Sequence, residues 1–468
     1  MPETVVTRHS PAVVAAIILL FVVPCIAQDG TTTRVDDFVQ AEMQKQRIPG
    51  VSLAVVKNGQ IILAKGYGYA NVEHHVPVKP ETIFQSGSVG KQFTATAVMM
   101  LVAEVRINLD EKISKYLGEV PDSWQNITVR HLLTHTSGLT DYPDDFDFRR
   151  DYTEAELLKR AQAITLAFKP GEKWQYSNLA YVTLGILIHK VTGQFYGDFL
   201  QERIFKPLGM TTTRIISEAD IVPNRAAGYR FVKDELKNQD WVSPTLNTTA
   251  DGALYFTVLD MAKWDAALYG EGLLKKTSRQ QMWTPVRLNN NRTADYGFGW
   301  SLGQVNGHRI IEHGGAWQGF TSYIARYVDD KITIIVLDNL AGANAGKIAR
   351  HVAAIYNPEL ARKAIEDKEP QVTTFAKDLL EKLTQGTADP NLFTPDERAE
   401  FFPARSERSA RLLKSLGPLN KIRLVERAEK NEYRVYGYEL FFQNGTRFFR
   451  LSLTKENKIA ELLTYDDF

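Results

Sequence analysis

The chain has 468 residues, 44% hydrophobic and 24% charged, and its 56 basic and 55 acidic side chains leave a formal charge of +1. This is ordinary globular material with room for two domains, and it offers nucleic acid no electrostatic footprint. Cys25 is the single cysteine, so a disulfide framework, a thiol enzyme downstream of it and a cysteine-ligated zinc centre are all excluded.

Arg8 and His9 precede an apolar stretch at 12–23, and Cys25-Ile26-Ala27 before Gln28 ends in the small residue that a signal peptidase cleaves after. Residues 1–27 therefore read as a secretory signal, with a secreted or periplasmic product. An apolar core of about 12 residues falls short of the roughly 20 needed to cross a bilayer, so no stable membrane span is expected. Helical periodicity follows at 35–45. Residues 51–56 and 60–64 then face each other across Asn58-Gly59, a strong hairpin signal.

Ser88-Val89-Gly90-Lys91 opens the almost wholly apolar run 93–103. A helix that is apolar on every face is surrounded by protein, and residues three apart on it share one face at about 5–6 Å. A serine hydroxyl is a poor nucleophile without a base beside it, and a lysine amine can be that base once burial lowers its pKa. The backbone N–H of Ser88, at the helix start, is free to hold an oxyanion.

A helix after Thr128 and another begun by the capping box Thr153–Glu156 make the middle of the chain helical. Tyr176-Ser177-Asn178 then follows the turn Pro170-Gly171 and precedes an apolar helix at 179–191. Strand patterns return at 296–302, 308–312, 322–328 and 331–337, with turns at Asn306-Gly307 and Asp329-Asp330, and His313-Gly314-Gly315 follows the second of them. A helix near 344–356 closes this part. After a charged, proline-ended break at 366–370 come helices near 374–383, 396–402 and 406–416. Four strands follow at 421–427, 433–441, 446–453 and 459–464, with Asn444-Gly445 as a hairpin turn. The tail is thus a small α+β unit of unknown role, and its aromatic residues Tyr433, Tyr436, Tyr438, Phe441, Phe448 and Phe449 read as core.

Together Ser88-x-x-Lys91, Tyr176-x-Asn178 and His313-Gly314-Gly315, with His131-Leu132-Leu133-Thr134-His135-Thr136-Ser137-Gly138-Leu139 and Gly252-Ala253-Leu254-Tyr255, give the chain a specific likeness. From about residue 35 to about 356 it resembles the penicillin-recognising serine hydrolases, in the group of class C β-lactamases, D-alanyl-D-alanine carboxypeptidases and family VIII esterases. The resemblance implies an α/β (α+β) fold in which an antiparallel sheet, built from both chain ends and flanked by helices, encloses an all-helical subdomain. The expected division is a hydrolase domain at 33–360, a linker at 361–371 and the small domain at 372–468. By the same resemblance Ser88 is the acylated nucleophile, Lys91 its base and Tyr176 the phenol that relays the proton. Asn178, His313, Gly314, Gly315 and Ala316 would bind substrate, with the third element on an edge strand and the Ala316 N–H completing an oxyanion hole. No cofactor and no metal are expected.

His313-Gly314-Gly315 departs from the lysine, threonine and glycine of the antibiotic-handling members. Those side chains donate charge-assisted hydrogen bonds to a substrate carboxylate, whereas histidine is mostly neutral at pH 7 and glycine donates nothing from a side chain. The expected substrates are therefore small molecules or peptides bearing an ester or amide without a free carboxylate near the scissile bond. A true β-lactamase or carboxypeptidase and a non-catalytic cell-wall peptide-binding or sensory protein are the alternatives. His131 and His135 also stand four apart like a zinc pair, but Leu132 occupies the place of a zinc protease's glutamate.

Overall fold

The structure is a computed structural model describing residues 30–466, so the expected export signal lies outside the described residues. α1 (Gly30–Gln46) leads into a hairpin of β1 (Gly50–Lys57) and β2 (Gln60–Asn71). Asn58 and Gly59 turn it with φ of 51° and 75°, the left-handed pair that matches the twist of the flanking strands. A short β3 (Val76–Pro77) extends the sheet beyond β2. After a long helical stretch the chain rejoins the same sheet as β4 (Ser301–Val305), β5 (His308–Trp317), β6 (Phe320–Tyr327) and β7 (Ile332–Asp338). The seven strands run β4-β5-β6-β7-β1-β2-β3, and β7 pairs antiparallel with β1, from Val51 opposite Asp338 to Lys57 opposite Ile332. The sheet therefore closes around the helical insertion.

Side chains alternate between faces along a strand, and here both faces are covered, which is why β1 and β7 read as continuous apolar runs. Val51, Leu53, Val55, Ile334 and Val336 pack against Val35 and Val39 of α1 and against Ile348 and Val352 of a late helix. Ala54, Val56, Ile335 and Leu337 join the core of the helical half. In that half α2 (Lys91–Ala103) buries every residue from Lys91 to Leu101. α3 (Val129–Leu133), α4 (Glu154–Gln162), α5 (Asn178–Thr192) and α6 (Val258–Ala267) contribute to the same core, and the late helix over the sheet is α7 (Ala345–Tyr356). Phe93 on α2 lies 4.4 Å from Trp264 on α6, ring centre to ring centre. The α4 capping box of Thr153 and Glu156 is present.

Three sequence readings shift. Ser88 does not start the α-helix: it sits on a 3-10 turn, Gly87–Gly90, that feeds α2. The strand expected at 296–302 begins at Ser301, because Gly297 donates its N–H to the Trp300 carbonyl and Gly299 takes φ of 73°, leaving Tyr296 as an isolated bridge opposite Ser301. β5 is second in the sheet, not its edge strand, although its pairing with β4 stops at Glu312 and the stretch from His313 onward has no outer strand.

The C-terminal unit starts with α8 (Pro370–Gln385), α9 (Pro395–Phe401) and α10 (Ala404–Ser415). A four-stranded meander follows, β8 (Leu419–Lys430), β9 (Tyr433–Phe442), β10 (Gly445–Leu453) and β11 (Ile459–Asp466). Leu379, Leu383, Leu413, Tyr436, Tyr438 and Phe449 form a separate core between its helices and one face of this sheet. Not all of its aromatic residues are core: Tyr433 and Phe441 are half-buried. Phe448, 5% exposed, lies under the guanidinium of Arg362 at 4.1 Å, and Tyr433 under that of Arg292 of the larger unit at 4.8 Å, so the second face of the sheet is covered as well. Among the described residues no helix is long and apolar enough to cross a membrane.

Candidate active site

The turn carrying Ser88 is held from three sides. Ser86 donates from Oγ to the Gly252 carbonyl at 2.6 Å and accepts the Leu254 N–H at 3.1 Å, while Ser322 on β6 donates to the Ser86 carbonyl at 2.6 Å. Glycine is required where these segments meet. A Cβ at Gly315 would fall 2.2 Å from the Ser86 carbonyl oxygen and 3.0 Å from the Ser88 nitrogen, and one at Gly87, where φ is 49°, would fall 2.4 Å from the Ala316 nitrogen. The backbone of Ser88 is thereby pressed against that of Gly315 and Ala316. Ser88 and Ala316, from separate elements, thus border one space.

Lys91 is fully buried. Its Nζ lies 3.0 Å from Ser88 Oγ, 2.6 Å from Asn178 Oδ1 and 2.5 Å from the Asp251 carbonyl oxygen. Burial pushes its pKa down to about 8, against the opposing pull of the Asp251 and Asp141 carboxylates. Two of its three partners are amide oxygens that can only accept. A neutral amine has two N–H groups and one lone pair, so both protons go to those oxygens and the lone pair faces the serine hydroxyl.

Asn178 is placed by the cap of α5. Ser177 Oγ accepts the Ala180 N–H at 3.1 Å and donates to the Thr140 carbonyl at 2.9 Å, which satisfies an otherwise orphaned donor of the first turn. The Asn178 amide then spans Lys91 and Asp141, donating from Nδ2 to Asp141 Oδ2 at 2.9 Å. The Tyr176 ring lies 5.0 Å from Lys91 Nζ. Its hydroxyl makes no hydrogen bond among the described residues, and burial raises its pKa while the neighbouring Ser88 hydroxyl opposes that rise. The group stays a neutral phenol.

His313 faces inward rather than into the cleft and is 6% exposed. Nε2 lies 2.9 Å from the Tyr296 hydroxyl and Nδ1 lies 2.6 Å from the Gly314 carbonyl oxygen. Burial first, then the nearby Lys91, push its pKa down to about 4. Both ring nitrogens are occupied, so the side chain offers the cleft no free donor. His131 and His135 also part company: His131 closes the capping box of α3, while the His135 ring packs at a tilt against Tyr176, centres 4.3 Å apart.

The space beside Ser88 is a cleft of about 460 Å³ bordered by Asp141, Tyr142, Asp144, Phe148, Asp251, Ala316 and Trp317, and no lysine, arginine or histidine is among its lining residues. Asp251 is 7% exposed and burial raises its pKa. Sequence reading had not singled out Asp141, Asp251 or Tyr296. The two aspartates each adjoin a motif that it had quoted, two residues after Leu139 and one before Gly252; Tyr296 carries no local signal at all.

Residues 35–356 match the family model described as Beta-lactamase. Penicillin-binding protein 4* of Bacillus subtilis (strain 168) is 32% identical over 314 residues, 63% of this chain and 69% of that protein. Sequence relatives of this kind are matched over about two thirds of their own length, 65% to 69%. Among solved structures, the octameric penicillin-binding protein homologue from Pyrococcus abyssi superposes with a TM-score of 0.63 at 24% identity, covering 93% of this chain and 96% of that one. That likeness concerns the fold, and its extent takes in the C-terminal unit. The D-amino acid amidase from Ochrobactrum anthropi SV3 gives a TM-score of 0.60 at 27% identity, over 70% of this chain and 96% of that one.

Proposed function

The chain belongs to the β-lactamase family, a family of serine hydrolases, and from that premise we propose that it hydrolyses esters or amides through an acyl-enzyme on Ser88. The observation that carries the reading is the proton count at Lys91. With Asn178 and the Asp251 carbonyl taking its two N–H groups, the lone pair receives the Ser88 proton as the oxygen attacks a substrate carbonyl. The N–H groups of Ser88 and Ala316 stabilise the oxyanion, in positions fixed before substrate arrives. Tyr176, kept neutral by burial, hands its proton to the leaving group and regains the one that Lys91 took from Ser88; water then attacks the acyl carbon, gives its proton to Ser88 Oγ and releases the acid. Asn178 holds both the amine and the substrate. Gly314 and Gly315 let the strand lie close to the acyl chain.

Substrate preference follows from charge. Asp141, Asp144 and Asp251 border the cleft, and His313 is neutral and turned away, so a free substrate carboxylate would meet repulsion without a compensating donor. Neutral or amine-bearing acyl groups with an apolar side chain suit the aromatic walls of Tyr142, Phe148 and Trp317. The likeness to a D-amino acid amidase supports amides among them. Export by way of residues 1–27 remains part of the proposal.

Intact-mass spectrometry after incubation with p-nitrophenyl esters, D-amino acid amides and β-lactams tests both parts. An adduct from esters or amides is expected on native protein and absent from Ser88→Ala, whose turnover should fall by roughly 10³-fold or more. A cephalosporin consumed far faster than short esters would overturn the substrate preference, and full activity in Ser88→Ala would overturn the mechanism.

A further inference from the structure

Tyr296 is 3% exposed, and its hydroxyl lies between two histidines, 3.2 Å from His135 Nε2 and 2.9 Å from His313 Nε2. The polarity of this chain of hydrogen bonds is set by its ends. The Ser177 backbone N–H can only donate, and it reaches His135 Nδ1 at 3.1 Å; the Gly314 carbonyl can only accept, and it takes His313 Nδ1 at 2.6 Å. His135 therefore carries its proton on Nε2 and gives it to the tyrosine oxygen. The tyrosine proton then goes to His313 Nε2, and His313 carries its own proton on Nδ1. Each ring nitrogen and the tyrosine proton is thereby used once, with both rings neutral, in line with the depressed pKa of each.

This chain joins the two segments that flank Ser88. His135 packs against Tyr176, ring centres 4.3 Å apart, and holds the Ser177 N–H, while His313 immediately precedes Gly314, Gly315 and Ala316 on β5. Tyr296 in turn follows a segment gripped by the C-terminal unit. Arg292 pairs with Glu432 at 2.9 Å. Thr293 gives its N–H to Asn431 Oδ1 at 3.1 Å and accepts Asn431 Nδ2 on its carbonyl at 2.8 Å, so one side chain imitates a strand partner. Asp295 pairs with Lys430 and lies 4.0 Å from Arg450. Lys430, Asn431 and Glu432 form the tip between β8 and β9, where Asn431 and Glu432 take φ of 50° and 67°.

We propose that Tyr296 is a positioning residue through which the C-terminal unit holds the Tyr176 loop and the Ala316 strand in register on either side of Ser88. The claim rests on the reading of Ser88 as the nucleophile and gives the C-terminal unit a role in that site. A structure in which the unit were only appended would have no need of a side chain that imitates a strand partner three residues before the one linking both walls.

The test uses the full chain and four proteins: native, Tyr296→Phe, Asn431→Gly and the double variant. Glycine at 431 keeps the left-handed turn while removing the amide, so this variant tests the clamp without straining the hairpin. The rate of Ser88 modification by a fluorophosphonate, read by intact mass, should fall about tenfold in Tyr296→Phe, the scale of one neutral hydrogen bond expressed as rate. It should fall about threefold in Asn431→Gly, with KM for a p-nitrophenyl ester within about twofold in both. The double variant should be no slower than Tyr296→Phe, because both changes act through one hydroxyl. Multiplying effects, or a Tyr296→Phe rate within twofold of native, would overturn the proposal. Nitrogen-15 NMR of histidine-labelled native protein gives a readout independent of activity: protons on Nε2 of His135 and Nδ1 of His313 are expected, and the opposite tautomers would sink the chain of bonds. Should native Ser88 resist labelling, the mechanism fails by itself and the tautomers alone decide this proposal.

Discussion

Lys91 and Arg326 are both fully buried cations in this molecule, yet their surroundings differ in kind. Arg326 has a carboxylate, Asp265, at 2.6 Å, and lies within 4.9, 5.2 and 5.8 Å of the rings of Tyr269, Trp283 and Trp300. A guanidinium does not lose its proton in proteins, so this site can only be charged and paired. Lys91 has two amide oxygens and a hydroxyl at hydrogen-bond distance, with its aspartates acting from further away. The result is a base that titrates near working pH. Burial therefore makes a working base of an amine that has no carboxylate in direct contact, and not of a paired guanidinium.

That contrast can be broken in three places. Lys91→Arg keeps the charge and removes the base, and Ser88 acylation should fall by about 10²- to 10⁴-fold in single-turnover measurements. A rate near native would mean that the positive charge, not the lone pair, is what Ser88 needs. Asp265→Ala leaves Arg326 buried and unpaired, which costs about 3–5 kcal/mol by the general behaviour of broken buried pairs. Urea unfolding should show that loss while acylation at low denaturant keeps its pH midpoint; a shifted midpoint would mean that the two sites are coupled. The smallest effect is expected from Asp251→Asn. Its carboxylate favours the ammonium form of Lys91, so removing it should move the midpoint of the acylation profile downward by a fraction of a pH unit to about one unit. A midpoint that rises would contradict the assigned sign.

His313 marks the other side of the same lesson. A histidine in the third motif suggests a group that titrates near pH 6.5 and meets substrate. Burial, and then the nearby Lys91, instead push its pKa down to about 4, so acylation should show no histidine-like inflection between pH 5.5 and 7 from this residue.

Much of the architecture was legible because it is written in local patterns. The Asn58-Gly59 turn, the Thr153 capping box, the apolar α2 and the four C-terminal strands each carry a signal within a few residues. Ser88 and Lys91 were legible for the same reason, since their short spacing on one turn fixes their relation, whereas Asn178, 87 positions from Lys91, was legible only through the family resemblance. What stayed hidden was set by long-range contact. Tyr296 lies 161 positions from His135, and Thr293 lies 138 from Asn431. Asp141 and Asp251 tune Lys91 from separate loops, and no period or spacing reports such pairings. The strand expected at 296–302 failed on a related point: Gly297 and Gly299 allow a turn that an apolar pattern does not reveal.

The pH dependence of Ser88 phosphonylation by an uncharged fluorophosphonate, in which the serine oxygen displaces fluoride, followed by intact mass, tests the central claim most directly. Because the pKa of Lys91 is lowered from 10.5 to about 8, its base form accumulates as pH rises through that value. The rate should climb with a midpoint near pH 8 and level off above it, with no adduct in Ser88→Ala. A rate still rising past pH 10, as for an ordinary exposed amine, or an adduct on another residue, would contradict it.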